Sequence, residues 1–299
     1  MKIGIQGSGV VVAVGSGVKS LRVGDEVYGL HFQHPFIPLK PPGYCCEYAL
    51  TLETSLCIKP AGLSFEDAAA LTGPVITTYQ TFKLALELMG ADSFEGKTVF
   101  IPGALSSCGH IGVQMAKTVF GASKVIATVS TPKMGLVEQL LPGFVDQLID
   151  YKTEDVVASV AATVGTVDVL YNAQWELTRN LKLVNPKSGV VASIASIPPP
   201  KVLSSLMGPS VPRVVLWILA ICQWWYAWKL RGTNIKLGFV SGNPGVREDY
   251  ERVGEIIARG KLKAVTTVVD LNNLEEVRRR ITMMASGKGS VGALVIKVA

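Results

Sequence analysis

The chain is poor in the residue patterns on which cofactor-free enzymes usually depend. Only three histidines occur in 299 residues, and neither a Ser-His-Asp spacing nor a paired-carboxylate motif can be assembled, so no hydrolase design is supported. The five cysteines (Cys45, Cys46, Cys57, Cys108 and Cys222) form no C-x-x-C pair. Their odd number and scattered spacing argue against a disulfide framework and fit free thiols in a reducing compartment. Charged residues make up 17% of the chain against 48% hydrophobic, which describes a globular protein with a large core and gives no indication of disorder. No Lys/Arg block interleaved with aromatics is present, so nucleic acid is not an expected partner, although a net charge of +6 suits a polyanionic ligand. No basic-then-apolar leader opens the chain, because Met1-Lys-Ile-Gly-Ile-Gln6 runs directly into a strand-like segment; a cytoplasmic location is expected.

What is present centres on Lys97–Lys133. Lys97-Thr-Val-Phe-Ile-Pro102 has the apolar, β-branched character of a buried strand, and Gly103-Ala-Leu-Ser-Ser-Cys-Gly109 is a turn of mostly small residues. His110 to Phe120 carries Ile111, Met115 and Val119 at helical spacing, Gly121-Ala-Ser ends that helix, and Lys124-Val-Ile-Ala-Thr-Val129 is a second strand. The order predicts a right-handed βαβ unit. Small residues in such a turn let a diphosphate approach the backbone, and N–H groups at the helix start meet negative charge. The candidate diphosphate-binding residues are therefore Gly103, Ala104, Leu105, Ser106, Ser107, Cys108 and Gly109. The G-x-G-x-x-G fingerprint is incomplete, with Ser106 and Ser107 where glycine would be easier and Gly112 further on.

An NAD-selective site carries Asp or Glu at the end of the second strand. Here Ser130-Thr-Pro-Lys133 offers two hydroxyls and an ammonium, which suit a 2′-phosphate; Ser130, Thr131 and Lys133 point to NADP(H), unless they are an ordinary polar loop. Gln147 to Lys152, Val167 to Asn172 and Gly189 to Ile194 read as further strands. Asn172 and Ser193–Ser196, at their C-terminal ends, are expected to face the nicotinamide, because open α/β sheets bind ligands there.

Ahead of this unit, Gly9–Gly15, Val23–Tyr28 and Tyr44–Leu52 read as strands, and Leu30 to Gly43, with His31, His34 and four prolines, as an irregular loop. Ser64-Phe-Glu-Asp67 is a helix start. The ordered set Val23-Gly-Asp-Glu-Val-Tyr-Gly29, Glu47-Tyr-Ala49, Ala68-Ala-Ala-Leu71, Thr77-Thr-Tyr79 and the βαβ unit resembles the medium-chain dehydrogenase/reductase superfamily, in its zinc-free quinone oxidoreductase and enoyl reductase branch. The likeness runs from Gly4 to Val298.

The resemblance implies an α/β protein: a Rossmann-type doubly wound parallel sheet over 78–240, plus a discontinuous GroES-like β-rich lobe over 1–77 and 241–299. It implies that relatives carry about fifty further N-terminal residues, a sizeable part of an ordinary domain, so that the β-rich lobe is shortened here. Zinc-binding members place a His-Glu pair where this chain has Ile5-Gln6, and neither residue suits zinc; no metal is expected. A tyrosine beside the adenosine phosphate in relatives corresponds to Tyr151, and a threonine on the nicotinamide side to Thr77. The activity implied is NADPH-dependent reduction of an activated alkene (enone, quinone or enoyl group) on a bulky apolar substrate, such as a secondary metabolite. Tandem strands around Ile235–Val240 imply a homodimer. No proton donor can be named from Tyr44, His31 or His34. Two other readings stay open: a reductase-derived cyclase or isomerase that binds an apolar intermediate, and a non-catalytic partner subunit.

Val214 to Trp228 is strongly apolar, holds four of the five tryptophans, and lies between Arg213 and Lys229. At about fifteen residues it is short for a spanning helix. It reads as a buried helix over the cleft or a subunit contact, as a peripheral membrane contact, or as an aromatic wall for an apolar substrate. Beyond it, Arg247–Arg259 and Leu274–Met284 are predicted helices, with strands at Val265–Val269 and Ala293–Val298.

Overall fold

The computed structural model describes residues 4–30, 43–207, 211–243, 245–286 and 291–298. His31 and His34 lie outside the described residues. The chain divides into two compact units, Met1–Ile76 with Gly242–Ala299, and Thr77–Ser241.

The first unit opens with β1 (Gln6–Val10), β2 (Glu26–Leu30) and β3 (Leu56–Ile58), an antiparallel sheet in that order. β1 starts and stops earlier than the valine run predicts. Val12 and Val14, beyond its end, are exposed and have no ladder partner. The strand expected over Tyr44–Leu52 does not form. Local bonds hold that stretch in bends instead, with Cys46 N–H donating to Tyr44 O (2.8 Å) and its thiol facing the carbonyls of Gly43 and Tyr48. Tyr48 and Leu50 point to solvent. Helix α1 (Phe65–Met89) begins as predicted: Ser64 Oγ accepts from Asp67 N–H at 3.0 Å. Its later turns belong to the second unit.

That unit continues through β4 (Thr98–Ile101), α2 (Gly109–Thr118), β5 (Lys124–Val129), α3 (Met134–Leu140), β6 (Gln147–Asp150), α4 (Val156–Val164), β7 (Val169–Asn172), α5 (Leu177–Asn180), β8 (Val190–Ser193), α6 (Pro200–Met207), α7 (Arg213–Lys229) and β9 (Lys236–Phe239). The six strands form one parallel sheet in the order β6-β5-β4-β7-β8-β9. Their near-continuous apolar runs are what burial on both faces requires. One face is covered by Val156, Val160, Leu177, Leu183 and Tyr226 against Phe100, Ile126, Leu170 and Val191. An aromatic cluster also forms, with Phe82 edge-on to Phe94 (5.3 Å), Phe120 (5.2 Å) and Tyr171 (5.1 Å). The strand order reverses between β4 and β7, so the exit of β4 is the topological switch point of a Rossmann-type sheet.

Helix α7 departs from the buried-helix reading. Only Leu219 and Tyr226 are buried, and its tryptophans stand in solvent. Among the described residues no helix is long and apolar enough to cross a membrane.

The chain then returns to the first unit with α8 (Arg247–Ala258), β10 (Thr266–Asp270), α9 (Leu274–Ala285) and β11 (Ala293–Lys297); β10 and β11 pair in parallel. Tyr250, Val253, Ile256 and Ile257 bury one face of α8, as their spacing predicts. Tyr250 OH donates to Ser55 O at 3.2 Å, tying the returning segment to the start of the same unit.

Candidate functional site

At the switch point the turn from β4 to α2 is pinned to the neighbouring strand. Gly103 N–H donates to Thr128 Oγ1 (3.1 Å) and Ala104 N–H to Thr128 O (2.8 Å). Gly103 sits at φ 74°, a conformation that favours glycine. A side chain on Gly109 would collide with the Gly103 carbonyl, and a Cβ on Gly112 would lie 2.7 Å from the Tyr171 ring. Ser107-Cys-Gly109-His-Ile-Gly112 therefore holds the fingerprint spacing with serine in first place. Gly109 allows the backbone approach and Gly112 the packing of α2 on β7.

Several candidate side chains turn inward. Ala104 and Leu105 are buried. The Cys108 thiol is hydrogen-bonded to Tyr171, and burial pushes its pKa up to about 11; Tyr171 OH also meets Thr78 Oγ1 at 3.0 Å. These three positions thus offer a ligand no side chain, and the Ala104 N–H is already taken by Thr128 O. Ser106 Oγ accepts from Gly109 N–H (3.0 Å), so the hydroxyl satisfies one donor at the helix start. His110 Nδ1 donates to Ser106 O (2.9 Å), which leaves Nε2 buried without a partner.

The exits of β5 and β6 bring Ser130, Thr131, Lys133 and Tyr151 together. Tyr151 N–H donates to Val129 O (3.1 Å), and Lys133 N–H to Ser130 O (2.8 Å). Thr131 is hydrogen-bonded to the carboxylate of Asp150, which holds that group below its usual range. The sequence reading missed this carboxylate because it arrives from the next strand. Partial burial lowers the pKa of Lys133, while Tyr151 is 38% exposed, with Lys152 Nζ 5.3 Å from its ring centroid.

At the exit of β7, Asn172 is buried. Its amide nitrogen donates to Ser193 Oγ and Ala195 O, both at 2.9 Å, and its Oδ1 has no partner. Two residues on, Gln174 packs against Gly103, within 2.8 Å of where a Cβ would stand. Gln174 escaped the sequence reading; its place two residues past a strand exit was the available signal. Thr77 is half-buried in α1, where its carbonyl accepts from Thr81 Oγ1 (2.6 Å). Its neighbour Thr78, not Thr77, joins the Tyr171 network.

In the first unit, Tyr44 OH meets Thr51 Oγ1 at 2.9 Å, and burial raises its pKa. Gln6 Oε1 accepts from Gly73 N–H (2.7 Å), which commits its side-chain oxygen to α1. Among the described residues no group of three or more His, Cys, Asp or Glu is placed to hold a metal ion.

No family model matches the chain. Relatives do. The 2-methylene-furan-3-one reductase of Solanum lycopersicum is 37% identical over 193 residues, covering 64% of this chain and 46% of that protein. The chloroplastic NADPH-dependent alkenal/one oxidoreductase of Arabidopsis thaliana is 33% identical over 193 residues, covering 64% and 47%. The chain thus spans less than half the length of either relative. The solved quinone oxidoreductase of Escherichia coli complexed with NADPH matches with a TM-score of 0.71 over 99% of this chain and 82% of that one, at 22% identity.

Proposed function

We propose that the chain is a member of the medium-chain dehydrogenase/reductase superfamily, in its quinone and enoyl reductase branch, and that it is an NADPH-dependent reductase of an activated alkene on an apolar substrate. One observation carries the reading. The glycine-lined β4 turn stands at the switch point of the sheet, with the unpartnered Asn172 Oδ1 at the adjacent strand exit. An orphaned buried acceptor costs about 1–3 kcal/mol unless a ligand supplies a donor, as a carboxamide N–H would.

The residues present fit the dinucleotide. Backbone N–H groups of Ser107 and Cys108 would hold the diphosphate, Ser130 and Lys133 the 2′-phosphate, Tyr151 the adenosine side, and Asn172 and Thr77 the nicotinamide side. When bound, the reduced nicotinamide supplies the hydride. The chain's own part is to orient that group and to support charge on the reduced substrate. The Thr131–Asp150 bond commits the Thr131 hydroxyl to a carboxylate of this chain. β9 lies at the sheet edge, and its outer side suits pairing with a second copy.

Titration with NADPH, followed by nicotinamide fluorescence, tests the reading: saturable binding is expected, and its absence removes the redox assignment. Lys133→Ala should weaken NADPH binding about tenfold, the worth of one charge-assisted contact, while changing NADH binding little. Equal losses for both nucleotides would place Lys133 away from the 2′-phosphate.

A further inference from the structure

Helix α7 carries two stripes on opposite sides. Leu216, Leu219, Gln223 and Tyr226 form the inner one, with Leu219 and Tyr226 buried. It is fastened at Ile197, whose N–H donates to Tyr226 OH (3.3 Å) and whose carbonyl accepts from Gln223 Nε2 (2.8 Å). Val214, Trp217, Ile221, Trp224 and Trp228 recur at alternating steps of three and four residues and form the outer stripe. Trp217 is 73% exposed, Trp224 68% and Ile221 63%, and Ile218 and Trp225 widen the strip. A surface helix normally turns polar residues outward; an outer face built of Trp, Ile and Val marks a contact site.

Charge selects the occupant. Between Glu176 and Glu248 the sequence has no carboxylate and nine basic residues, among them Lys201, Arg213, Lys229 and Arg231. Arg213 and Lys229 are the terminal residues of α7, and Lys229 Nζ lies 5.1 Å from the centroid of the Trp228 ring. A second copy docked on this strip would set basic ends against basic ends with no carboxylate in the segment to answer them. An anionic lipid surface answers both features, since tryptophan favours the headgroup level and each Lys or Arg near the surface adds attraction. At 17 residues the helix spans about 25 Å, shorter than the hydrocarbon core of a bilayer, so it would lie in the interface plane.

We propose that the outer face of α7 attaches the protein peripherally to anionic membranes, with Trp217, Ile221, Trp224 and Trp228 entering the headgroup–acyl boundary and Arg213 and Lys229 pairing with lipid phosphates or carboxylates. Attachment needs no nucleotide, so it stands apart from the redox reading.

Flotation of the full chain with vesicles of phosphatidylcholine alone, or of phosphatidylcholine mixed with phosphatidylserine, tests this. The protein should float with the mixed vesicles and much less with the neutral ones, with a blue shift of tryptophan emission and weakening in high salt. The double change Trp217→Ser, Trp224→Ser should lower binding more than tenfold with the circular dichroism spectrum kept. Arg213→Gln and Lys229→Gln should each lower it about fivefold without touching the apolar strip. NADPH titration of the same variants should be unchanged. No flotation with the mixed vesicles, or equal flotation of the serine variant, overturns the proposal. So does a dimer, seen by sedimentation equilibrium, that these serine changes dissociate, because a second copy would then occupy the strip.

Discussion

Two side chains at the turn show how single residues set the site's properties. Ser106 Oγ acts as an internal cap for Gly109 N–H. Ser106→Ala should cost about 1 kcal/mol of stability, read from the urea midpoint at unchanged slope. No loss would mean that water replaces the hydroxyl at no cost. His110 is buried, and desolvation holds its pKa down to about 4, against an ordinary 6.5. The unfolded chain therefore takes up a proton below about pH 6.5 that the folded chain refuses until about pH 4. Stability from this group is complete above the unfolded value and is lost as pH falls between the two, by about 3 kcal/mol in all. His110→Asn keeps a donor for Ser106 O and removes the titration. Urea midpoints should then decline less steeply than in the native chain from pH 6.5 to pH 4, and parallel declines would refute the assignment. At this scale the sequence told less. Residue types marked the turn, but which side chains face inward depends on the packing of Tyr171, so nothing in the sequence told that the Cys108 thiol joins a buried network.

Elements follow from pattern where burial is two-sided. β5 occupies the predicted Lys124–Val129, and α2 begins one residue before the predicted start, because an apolar run between glycine turns has few other ways to satisfy its backbone. Pattern fails where the partner is missing. Tyr44–Leu52 has strand-like residues but no neighbouring ladder, and local turn bonds win. α7 reads as a helix from its sequence, yet its apolarity on every side gave no sign of which stripe would pack. The joint between α2 and β7 makes a strong demand on a single residue, since Gly112 faces a Tyr171 ring held by Thr78 and Cys108. Gly112→Ala should destabilise by about 1–3 kcal/mol through overpacking, because the ring has no room to yield. Gly135, with open space around it, is the control: alanine there should be neutral or slightly stabilising by chemical denaturation. Similar losses at both sites would show that the ring moves aside.

At the scale of the whole molecule the two units differ in how the chain builds them. Thr77–Ser241 is one continuous segment whose sheet grows from neighbouring βα steps, whereas the first unit joins Met1–Ile76 to Gly242–Ala299 across everything between. Closing so long a loop has an entropic cost that must be met before contacts such as Tyr250 OH to Ser55 O can form. That cost falls once the intervening segment is compact, because its ends are then no longer separated by a free coil. The continuous unit should therefore fold first. In refolding with pulsed hydrogen exchange, amides of β4, β5, β7 and β8 should gain protection before those of β10 and β11, which both lie in the returning segment. If β10 and β11 were protected as early as β4, the C-terminal segment would be docking on a local nucleus of its own, and the order of assembly drawn from chain connectivity would be wrong.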